Sequence, residues 1–355
     1  MASVHSFPSR QRALAELLGR SAEDIRDVCL RVSEASGWPA AIVEKDLWVT
    51  WALWVLFNPL NALTMQDRPI RLAFKGGTSL SKAYRAIHRF SEDIDLTLHF
   101  EDLGVLDQPL AELSRKQADR ARKALDGRAA DVARDQVVPM LRRHMDLLNP
   151  DGEWRIDLDP DDPLSVVVSY PRHQPQGTYL LEGIKLEFGG RNVAEPFDTM
   201  SLATVVHEHF PGVGAPQAKC VRVLAGEYTF WEKVTLAHAE LLRPSFANRI
   251  ERMSRHWYDL WALSSHDLGR SALQDKRALL NGVIQMKSVL YRQGTVNYRD
   301  VAEGRCSIVP VEADVSMALR SDYESMESGG MLGGQPPTWE NVLEAVRRLQ
   351  ARING

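Results

Sequence analysis

Cysteine is scarce in this chain of 355 residues, and the three that occur, Cys29, Cys220 and Cys306, lie far apart. This spacing excludes a disulfide framework and a cysteine-rich zinc site, and it predicts a reduced, cytoplasmic setting. No apolar run approaches the roughly 18 residues of a membrane-spanning helix, so no membrane association is expected. The first residues also lack the basic-then-apolar layout of a signal peptide.

Charge of one sign is not in excess, because the net charge is only -4. A protein that binds nucleic acid over its whole surface is basic, so any contact with a polyanion must be confined to one region. The histidines lack the paired spacing of a zinc site, and no serine has the glycine-flanked elbow of a nucleophile. These absences favour structural roles for the histidines and give no support to a serine nucleophile.

The length of the chain predicts more than one domain, and 44% apolar residues suffice for a sizeable core. Changes in patterning divide the chain into three predicted regions. Residues 1–66 are expected to be helices that pack on the core, residues 67–222 the core itself, and residues 223–355 a helical C-terminal domain.

Two helical segments are predicted before the core. Apolar residues recur at helical spacing from Gln11 to Cys29, where Ser21 is the expected N-cap of the second of two short helices. The segment Pro39–Asn58 is apolar nearly all round, so a buried helix with its three tryptophans as core anchors is expected. Its more polar end, Glu44–Asp46, is expected to face solvent.

The central stretch predicts a strand, a glycine turn, a helix and a second strand. Arg71–Phe74 is the first strand, Ser79–Ile87 the helix, and Glu92–Phe100 the second strand. Because side chains alternate along a strand, Asp93 and Asp95 share one face.

The rest of the chain predicts further strands and then helices. Leu110–Leu148 is basic and rich in alanine, and it predicts a helical pair broken near Gly127. Strands are predicted at Glu153–Leu158, Leu164–Tyr170 and Tyr179–Phe188, followed by loops up to Tyr228, helices with breaks to Tyr291, and helices at Ala313–Met326 and Thr338–Ile353. The pattern predicts an α+β fold, in which a small mixed, twisted sheet flanked by helices precedes a helical C-terminal domain.

Two carboxylates on one strand face are the minimum needed to hold Mg²⁺ against a nucleoside triphosphate, since this cation prefers oxygen ligands and shares them with phosphates. Asp93 and Asp95 meet this need. The preceding glycines, Gly76 and Gly77, with Thr78, allow backbone N–H groups to approach phosphate oxygens. The order and spacing of the two features favour a metal and triphosphate site.

Two other acidic positions in predicted strands, Asp157-Leu158-Asp159 and Glu187, are further candidates for metal ligands. Asp157-Leu158-Asp159 has the same Asp-apolar-Asp spacing, but no glycine turn precedes it and Pro160 follows at once, so a strand-end turn is predicted. Glu187 would supply a third carboxylate if its strand lies beside that of Asp93. The alternative for Glu187 is a solvated strand glutamate.

A lysine and an aspartate on later helices complete the candidate site. Lys233 lies among apolar residues, so its stem would follow apolar surface and its ammonium would emerge at an edge. Asp259 has Arg255 four residues before it, which predicts an ordinary ion pair within the helix. Yet Asp259 is flanked by Trp257, Tyr258, Leu260 and Trp261, surroundings that would partly bury a carboxylate unless it has a purpose or a partner, so an ordinary ion pair and a functional role both stay open at this point.

Four motifs together resemble the AbiEii/AbiGii family of nucleotidyltransferase toxins, in the DNA polymerase beta-like nucleotidyltransferase superfamily. Phe74–Tyr84 is similar to the first motif, and Arg89–Leu96 to the second, with the metal carboxylates at Asp93 and Asp95. Trp231–His238 resembles the third, and Arg255–Leu260 the fourth. The resemblance covers roughly residues 40 to 354, but the basic stretch from Arg115 to Arg143 and the loop at Pro171–Pro175 resemble variable insertions.

The resemblance implies a metal-dependent nucleotidyltransferase fold and a site between the two domains. Mg²⁺ or Mn²⁺ is implied at Asp93 and Asp95, and Glu187 stays the candidate for a further ligand on the strand pattern alone. The residues expected to bind the phosphates are Gly76, Gly77, Thr78, Ser79 and Lys233. Lys233 is also expected to be catalytic. Asp259 is expected to orient or deprotonate the attacking hydroxyl.

The resemblance also implies partners and a setting. The expected substrates are a nucleoside triphosphate and an RNA acceptor, with the tRNA 3′ end as the acceptor class. The expected protein partner is a cognate antitoxin of a toxin–antitoxin or phage-defence system. Two alternatives stay open: a transferase of the same fold that acts on a protein or a small molecule such as an antibiotic, and a catalytically silent nucleotide- or partner-binding protein.

Overall fold

The computed structural model describes residues 16–149, 152–175, 180–244, 246–274 and 276–355. These residues form two compact units. The first comprises the described residues up to Ala83, Phe90–Gly104 and Leu125–Val223, and the second comprises Tyr84–Arg89, Val105–Ala124 and Leu224–Gly355. A mixed sheet and many helices occur in one chain, so the predicted α+β class is confirmed.

A seven-stranded mixed sheet organises the first unit. Two short strands before it, β1 (Thr64–Met65) and β2 (Arg68–Pro69), form a separate hairpin. The strands of the large sheet are β3 (Leu72–Lys75), β4 (Asp93–His99), β5 (Arg155–Leu158), β6 (Ser165–Ser169), β7 (Ile184–Asn192), β8 (Phe197–Ala203) and β9 (Gln217–Leu224). Their order across the sheet is β5-β6-β7-β4-β3-β9-β8.

Strand β4 lies at the centre of this sheet. It pairs antiparallel with β3 and parallel with β7. Ile94, Leu96 and Leu98 are fully buried, and they point to one side while Asp93 and Asp95 point to the other, as the alternation predicts. The apolar face of β4 therefore anchors the strand in the core and fixes where the two carboxylates lie.

Helices also occur in the first unit, and they make up most of the second unit. Those before β5 are Ala22–Ser36, Ala40–Leu56, Gly76–Lys82, Arg115–Val132 and Val138–Leu148, and Val205–His209 precedes β9. The later ones are Gly226–Leu241, Ser254–Ser265, Asp267–Gln274, Lys276–Leu290, Arg299–Ala302, Ala313–Ser328 and Trp339–Asn354. The side chains of Ser21 and Thr338 cap the first and last of these helices, which confirms both predicted helix starts.

Several predicted elements are shifted or wrong. The passage before Tyr228, expected to be loops, contains β8 and β9. Strand β8 lies at the edge of the sheet and is mostly exposed, so it lacks the alternation that reveals a strand. The predicted helix at Ser79–Ile87 instead begins at Gly76 and ends at Lys82. Residues before 16, and Tyr179, lie outside the described residues.

The predicted break near Gly127 is also wrong. The helix Arg115–Val132 runs through this glycine, and the interruption is a π-helical turn at Ala133–Val137, directly before the helix that has Pro139 in its first turn. A glycine inside a helix reduces helix stability by only about 1 kcal/mol relative to alanine, and the alanines around Gly127 are strong helix formers that offset this loss. Proline, which lacks an N–H group, is the stronger disturbance of the helical hydrogen bonds.

Glu44–Asp46 was expected to face solvent, and the structure contradicts this. All three side chains are buried. Lys45 Nζ lies 2.5 Å from Glu92 Oε2, and Asp46 Oδ1 lies 2.5 Å from Lys82 Nζ. A charged group enters a core only with such partners, and none of them was recognisable from the local sequence.

Candidate active site

The glycine turn between β3 and the next helix holds a carboxylate at close range. Gly76 has φ +75°, in the left-handed region that favours glycine. A Cβ atom at this position would lie 1.9 Å from Oδ2 of Asp95. Both the backbone conformation and the position of Asp95 therefore require glycine at 76.

Two hydroxyl groups fix this turn on strand β4. Thr78 Oγ1 donates a hydrogen bond to the backbone carbonyl of Asp93, and Ser79 Oγ donates to the carbonyl of Gly76 at 2.9 Å. Both side chains are buried, as is Gly77. The hydroxyls of Thr78 and Ser79 thus contact the backbone of the turn and of β4.

Asp93 and Asp95 on β4 lie beside charged residues of the neighbouring strand β7. Asp93 is 9% exposed, whereas Asp95 is half-buried. In the parallel ladder between β4 and β7, Asp95 is the direct partner of Glu187 and Asp93 that of Lys185. Directly paired residues on neighbouring strands point to the same side, about 4.8 Å apart. The strand of Glu187 therefore lies beside the Asp95 strand, which was the condition for a third carboxylate.

Glu187 nevertheless has a cation beside it. Its side chain is 43% exposed, and its Oε1 lies 3.5 Å from Nζ of Lys185. Lys185 also lies 3.2 Å from Asp159 and 3.7 Å from Asp162. Burial lowers the pKa of Lys185, but Glu187 and the two aspartates outweigh it and raise this pKa above its ordinary value. Lys185 is therefore charged and links Glu187 to the turn after β5.

The second Asp-apolar-Asp sequence has a different environment. Strand β5 ends at Leu158, and Asp159 Oδ1 accepts a hydrogen bond from the backbone N–H of Asp161 at 3.0 Å. Asp157 is bound by the guanidinium groups of Arg142 and Arg155. The interpretation of this sequence as a strand-end turn is confirmed.

The residues around Asp95 suit a hard cation in donor type. Asp93, Asp95 and Glu187 supply carboxylate oxygens, the ligands that Mg²⁺ and Mn²⁺ prefer, and the absent Cβ of Gly76 leaves room at Asp95. Across the described residues, however, no group of three or more His, Cys, Asp or Glu side chains is arranged to hold a metal ion. The donor set fits such a cation in the type of its ligands.

In the second unit a buried cluster joins Lys233 and Asp259. Lys233 lies on the helix Gly226–Leu241 and Asp259 on the helix Ser254–Ser265. Lys233 Nζ lies 2.6 Å from Oδ2 of Asp259, which is fully buried. The two residues that the third and fourth motifs single out are therefore in direct contact.

Arg89 is the member of this cluster that the sequence did not reveal. Its Nε lies 2.7 Å from Oδ1 of Asp259, and its second guanidinium nitrogen lies 2.9 Å from Oδ2. Such a bidentate pair is the strongest arrangement of arginine and carboxylate. The available signal was the aromatic surroundings of Asp259, which require a cationic partner, but nothing in the sequence identifies one 170 residues earlier.

The cluster keeps Asp259 ionised. Burial alone raises the pKa of Asp259, but the charges and hydrogen bonds of Arg89 and Lys233 outweigh it and hold this pKa below its ordinary value. One carboxylate faces two cations, so the three side chains carry a net positive charge. His256 adds none, because burial and the charges of Lys233 and Arg255 hold its pKa well below the ordinary value.

A distant carboxylate fixes the helix that carries Asp259. Asp322 accepts hydrogen bonds from the backbone N–H groups of Arg252 at 2.5 Å and Ser254 at 2.8 Å. Both N–H groups lie where the helix begins and lack partners within it. Asp322 therefore acts as a cap from another helix, and the start of the helix Ser254–Ser265 is set by tertiary structure.

A mixed sheet with a glycine turn and carboxylates on the following strand is the arrangement expected of the nucleotidyltransferase fold, and a comparison with protein families agrees. The model of the nucleotidyl transferase AbiEii toxin family, of type IV toxin–antitoxin systems, matches residues 60–345. The chain belongs to this family, and the resemblance seen in its motifs is confirmed.

Comparisons with solved structures and with curated proteins give a similar structure but no curated relative. The chain is similar to MenT4, a nucleotidyltransferase toxin from Mycobacterium tuberculosis H37Rv, with 19% identity, a TM-score of 0.46, and coverage of 94% of this chain and 89% of the other. No match is found among curated proteins. Within the described part of the chain, every helix is too short or too polar to span a bilayer.

Proposed function

We propose that this protein is a toxin that transfers a nucleoside monophosphate from a nucleoside triphosphate to RNA and releases pyrophosphate. The acceptor is the 3′ end of tRNA, the reaction takes place in the cytoplasm, and a cognate antitoxin protein neutralises it. Such a protein would serve in phage defence. Family membership supports the nucleotide transfer and the antitoxin, and the RNA acceptor is the further step of this proposal.

The observation that carries the proposal is the contact between the glycine turn and Asp95. It brings a carboxylate against a segment of backbone without side chains, where a triphosphate and its cation can approach together. When bound, Mg²⁺ or Mn²⁺ held by Asp93 and Asp95, with Glu187 as a further ligand, would offset negative charge at the α-phosphate. The hydroxyls of Thr78 and Ser79 keep the turn in position, and backbone N–H groups of Gly76 and Gly77 receive the phosphates.

The buried cluster of the second unit supplies positive charge. Lys233 neutralises the triphosphate, because its ammonium belongs to a group of side chains whose net charge is positive. Both oxygens of Asp259 accept from cations, and its pKa is lowered, so orientation is better supported for this carboxylate than proton abstraction. Arg89 then acts as a positioning residue that fixes Asp259.

The bonds balance as follows. The oxygen of the RNA 3′-hydroxyl forms a bond to the α-phosphorus, and the bond from that phosphorus to the bridging oxygen breaks. Pyrophosphate leaves with the electron pair of the broken bond, and the hydroxyl proton passes to solvent. No oxidant or reductant is needed.

The test is to incubate the purified protein with total RNA and each of the four α-³²P-labelled nucleoside triphosphates in turn. Label in a small-RNA band, dependent on added Mg²⁺ or Mn²⁺, is the expected result. Label that enters only protein or a small product contradicts the RNA acceptor and supports a transferase with another substrate. No labelled product with any nucleotide contradicts the proposed enzyme.

A further inference from the structure

We propose that one face of the helix Arg115–Val132 is an RNA-docking surface, formed by Lys116, Arg120 and Lys123, that binds the phosphate backbone of the acceptor. We call these three residues the basic ridge. The inference rests on the proposed function, because it names the surface that holds the RNA, and it concerns a basic stretch that the family motifs leave unassigned.

The geometry of the helix sets the basic ridge apart. Its residues are spaced by four and three positions, which places their side chains in one row with rises of about 6 Å and about 4.5 Å. All three are exposed, whereas Ala118 and Ala121 on the opposite face are buried. The buried face fixes the helix backbone, so the three positive charges stay together on its exposed side.

The basic ridge has no acidic partners. Among the residues that the structure describes, neither Lys116, Arg120 nor Lys123 forms an ion pair. The nearby Asp119 lies 3.6 Å from Arg122, which balances its charge. Many other exposed arginines do have a carboxylate within 4 Å, including Arg134, Arg142, Arg155, Arg305 and Arg320. A row of uncompensated cations on a chain of net charge -4 is suited to a polyanion.

The surface around the basic ridge favours nucleic acid over an acidic protein. Protein interfaces depend on apolar and aromatic anchors. The large exposed apolar side chains of the described residues all lie elsewhere, and none is on the helix Arg115–Val132. Phosphate contacts need only charge, and they supply most of the affinity of RNA and DNA binding.

A small cavity beside the basic ridge has the polarity of a base-binding site. Its volume is about 250 Å³, and Arg120 forms part of its wall. The amides of Gln108 and Gln117 and the carboxylate of Asp107 also line it, together with apolar side chains such as Leu106 and Leu113. Gln108 Nε2 already donates to the carbonyl of Glu112, and Gln117 Oε1 accepts from Ser114. Carboxylate groups bind base edges, so through Asp107 the cavity suits one unpaired base next to the phosphates on the ridge.

The experiment measures binding of fluorescein-labelled total tRNA by anisotropy at several salt concentrations. The test variant combines Lys116→Glu, Arg120→Glu and Lys123→Glu. The control combines Arg249→Glu, Arg292→Glu and Arg299→Glu, which are exposed in the same unit and change the net charge equally. The test variant is expected to raise Kd at least about tenfold and to flatten the plot of log K against log salt by about two to three units. The control is expected to change Kd much less.

Two outcomes overturn the inference. Equal losses in both variants mean that net charge alone governs binding, and displacement of tRNA by poly-glutamate as readily as by unlabelled tRNA means that the basic ridge is a site for an acidic protein. If the triple variant does not fold, Lys123→Gln alone is expected to flatten the slope by about one unit. Transfer of labelled nucleotide is measured separately, so a wild-type protein that binds tRNA but labels no RNA contradicts the proposed function and not the ridge.

Discussion

Two sets of charged side chains, one in each compact unit, differ in how their charge is held. In the first unit Asp95 is half-buried and lies against the bare backbone of Gly76. In the second unit Asp259 is fully buried and bound by both Arg89 and Lys233. The first carboxylate keeps part of its hydration, whereas the second has exchanged water for two cations.

Because of this difference, substitutions in the two sets should affect activity and the free energy of unfolding differently. A buried carboxylate that loses one of its cations is left uncompensated in a low dielectric, which is strongly destabilising. A half-exposed carboxylate can be replaced by its amide at little cost to folding, because water screens both forms. Substitutions in the first set should therefore remove activity alone, and those in the second should also weaken the fold.

The largest loss of activity is expected from Asp95→Asn. Loss of a carboxylate that holds the cation removes several kcal/mol of transition-state stabilisation, so nucleotide transfer should fall by at least about 100-fold. The unfolding free energy should change by less than about 1 kcal/mol. Asp157→Asn is the matched control, since Asp157 has the same Asp-apolar-Asp spacing but should retain activity. Equal losses in the two variants would remove the distinction between the two sequences.

Arg89→Met should instead weaken the fold. It leaves Asp259 with a single cation, and the expected loss of unfolding free energy is about 3–5 kcal/mol in urea titrations. Arg89→Lys keeps the charge but not the bidentate geometry, so a smaller loss is expected. If Arg89→Met unfolds at the same urea concentration as the wild type, the buried cluster does not stabilise the second unit.

The same cluster predicts a response to acid. Because the pKa of Asp259 lies below its ordinary value of 3.8, the stability that it contributes is fully present above pH 3.8 and is lost as pH falls further. Asp259→Asn should reduce the steepness of acid unfolding in this range. An unchanged acid limb would show that the carboxylate titrates normally.

Glu44 is a third kind of carboxylate, buried and bound mainly by backbone N–H groups. It accepts hydrogen bonds from the N–H groups of His173 and Gln174, yet burial raises its pKa to about 7. A raised acid pKa means that the fold loses stability as pH rises from 4.5 to 7, here by up to about 3 kcal/mol. Glu44→Gln should flatten this dependence in unfolding measurements. A wild-type curve that is already flat would contradict the desolvation of Glu44.

Smaller effects on stability than at Arg89 are expected at two glycines. Gly76→Ala forces a side chain into a left-handed conformation at about 1–2 kcal/mol and displaces Asp95, so both stability and transfer should fall. Gly127→Ala is the control, because nothing lies within 4 Å of the added Cβ and the position is helical. It should raise the melting temperature slightly, by the difference in helix propensity. Similar behaviour of both variants would contradict the special role of the turn.

Local pattern was sufficient where one stretch of chain determines its own structure. Alternation located β4 and put Asp93 and Asp95 on one side of it, and paired glycines located the turn. Asp157 and Asp159 were distinguished from them because the following proline was visible in the sequence. The sequence alone could not say whether the strand of Glu187 lies beside that of Asp95. The sheet shows that it does, with the two residues directly paired.

Contacts over long sequence distances could not be predicted. Arg89 and Asp259 are separated by 170 residues, and Lys45 and Glu92 by 47, so no periodic pattern links them. The charged start of the helix Ala40–Leu56 is therefore predicted to face solvent, whereas Lys45 and Asp46 form buried ion pairs and Glu44 accepts from backbone N–H groups. Strand β8 was missed for a related reason, since an exposed edge strand has little hydrophobic alternation to reveal it.

The most direct test of the account is growth arrest when the protein is expressed without an antitoxin. Wild-type protein should arrest growth, whereas Asp93→Ala and Lys233→Ala should not, and Asp157→Ala should arrest growth like the wild type. Soluble expression of each variant must be shown to equal that of the wild type. Loss of arrest in soluble Asp93→Ala is the result expected from a carboxylate-dependent nucleotidyltransferase toxin. Arrest that persists in soluble Asp93→Ala would contradict the account and favour a catalytically silent binding protein.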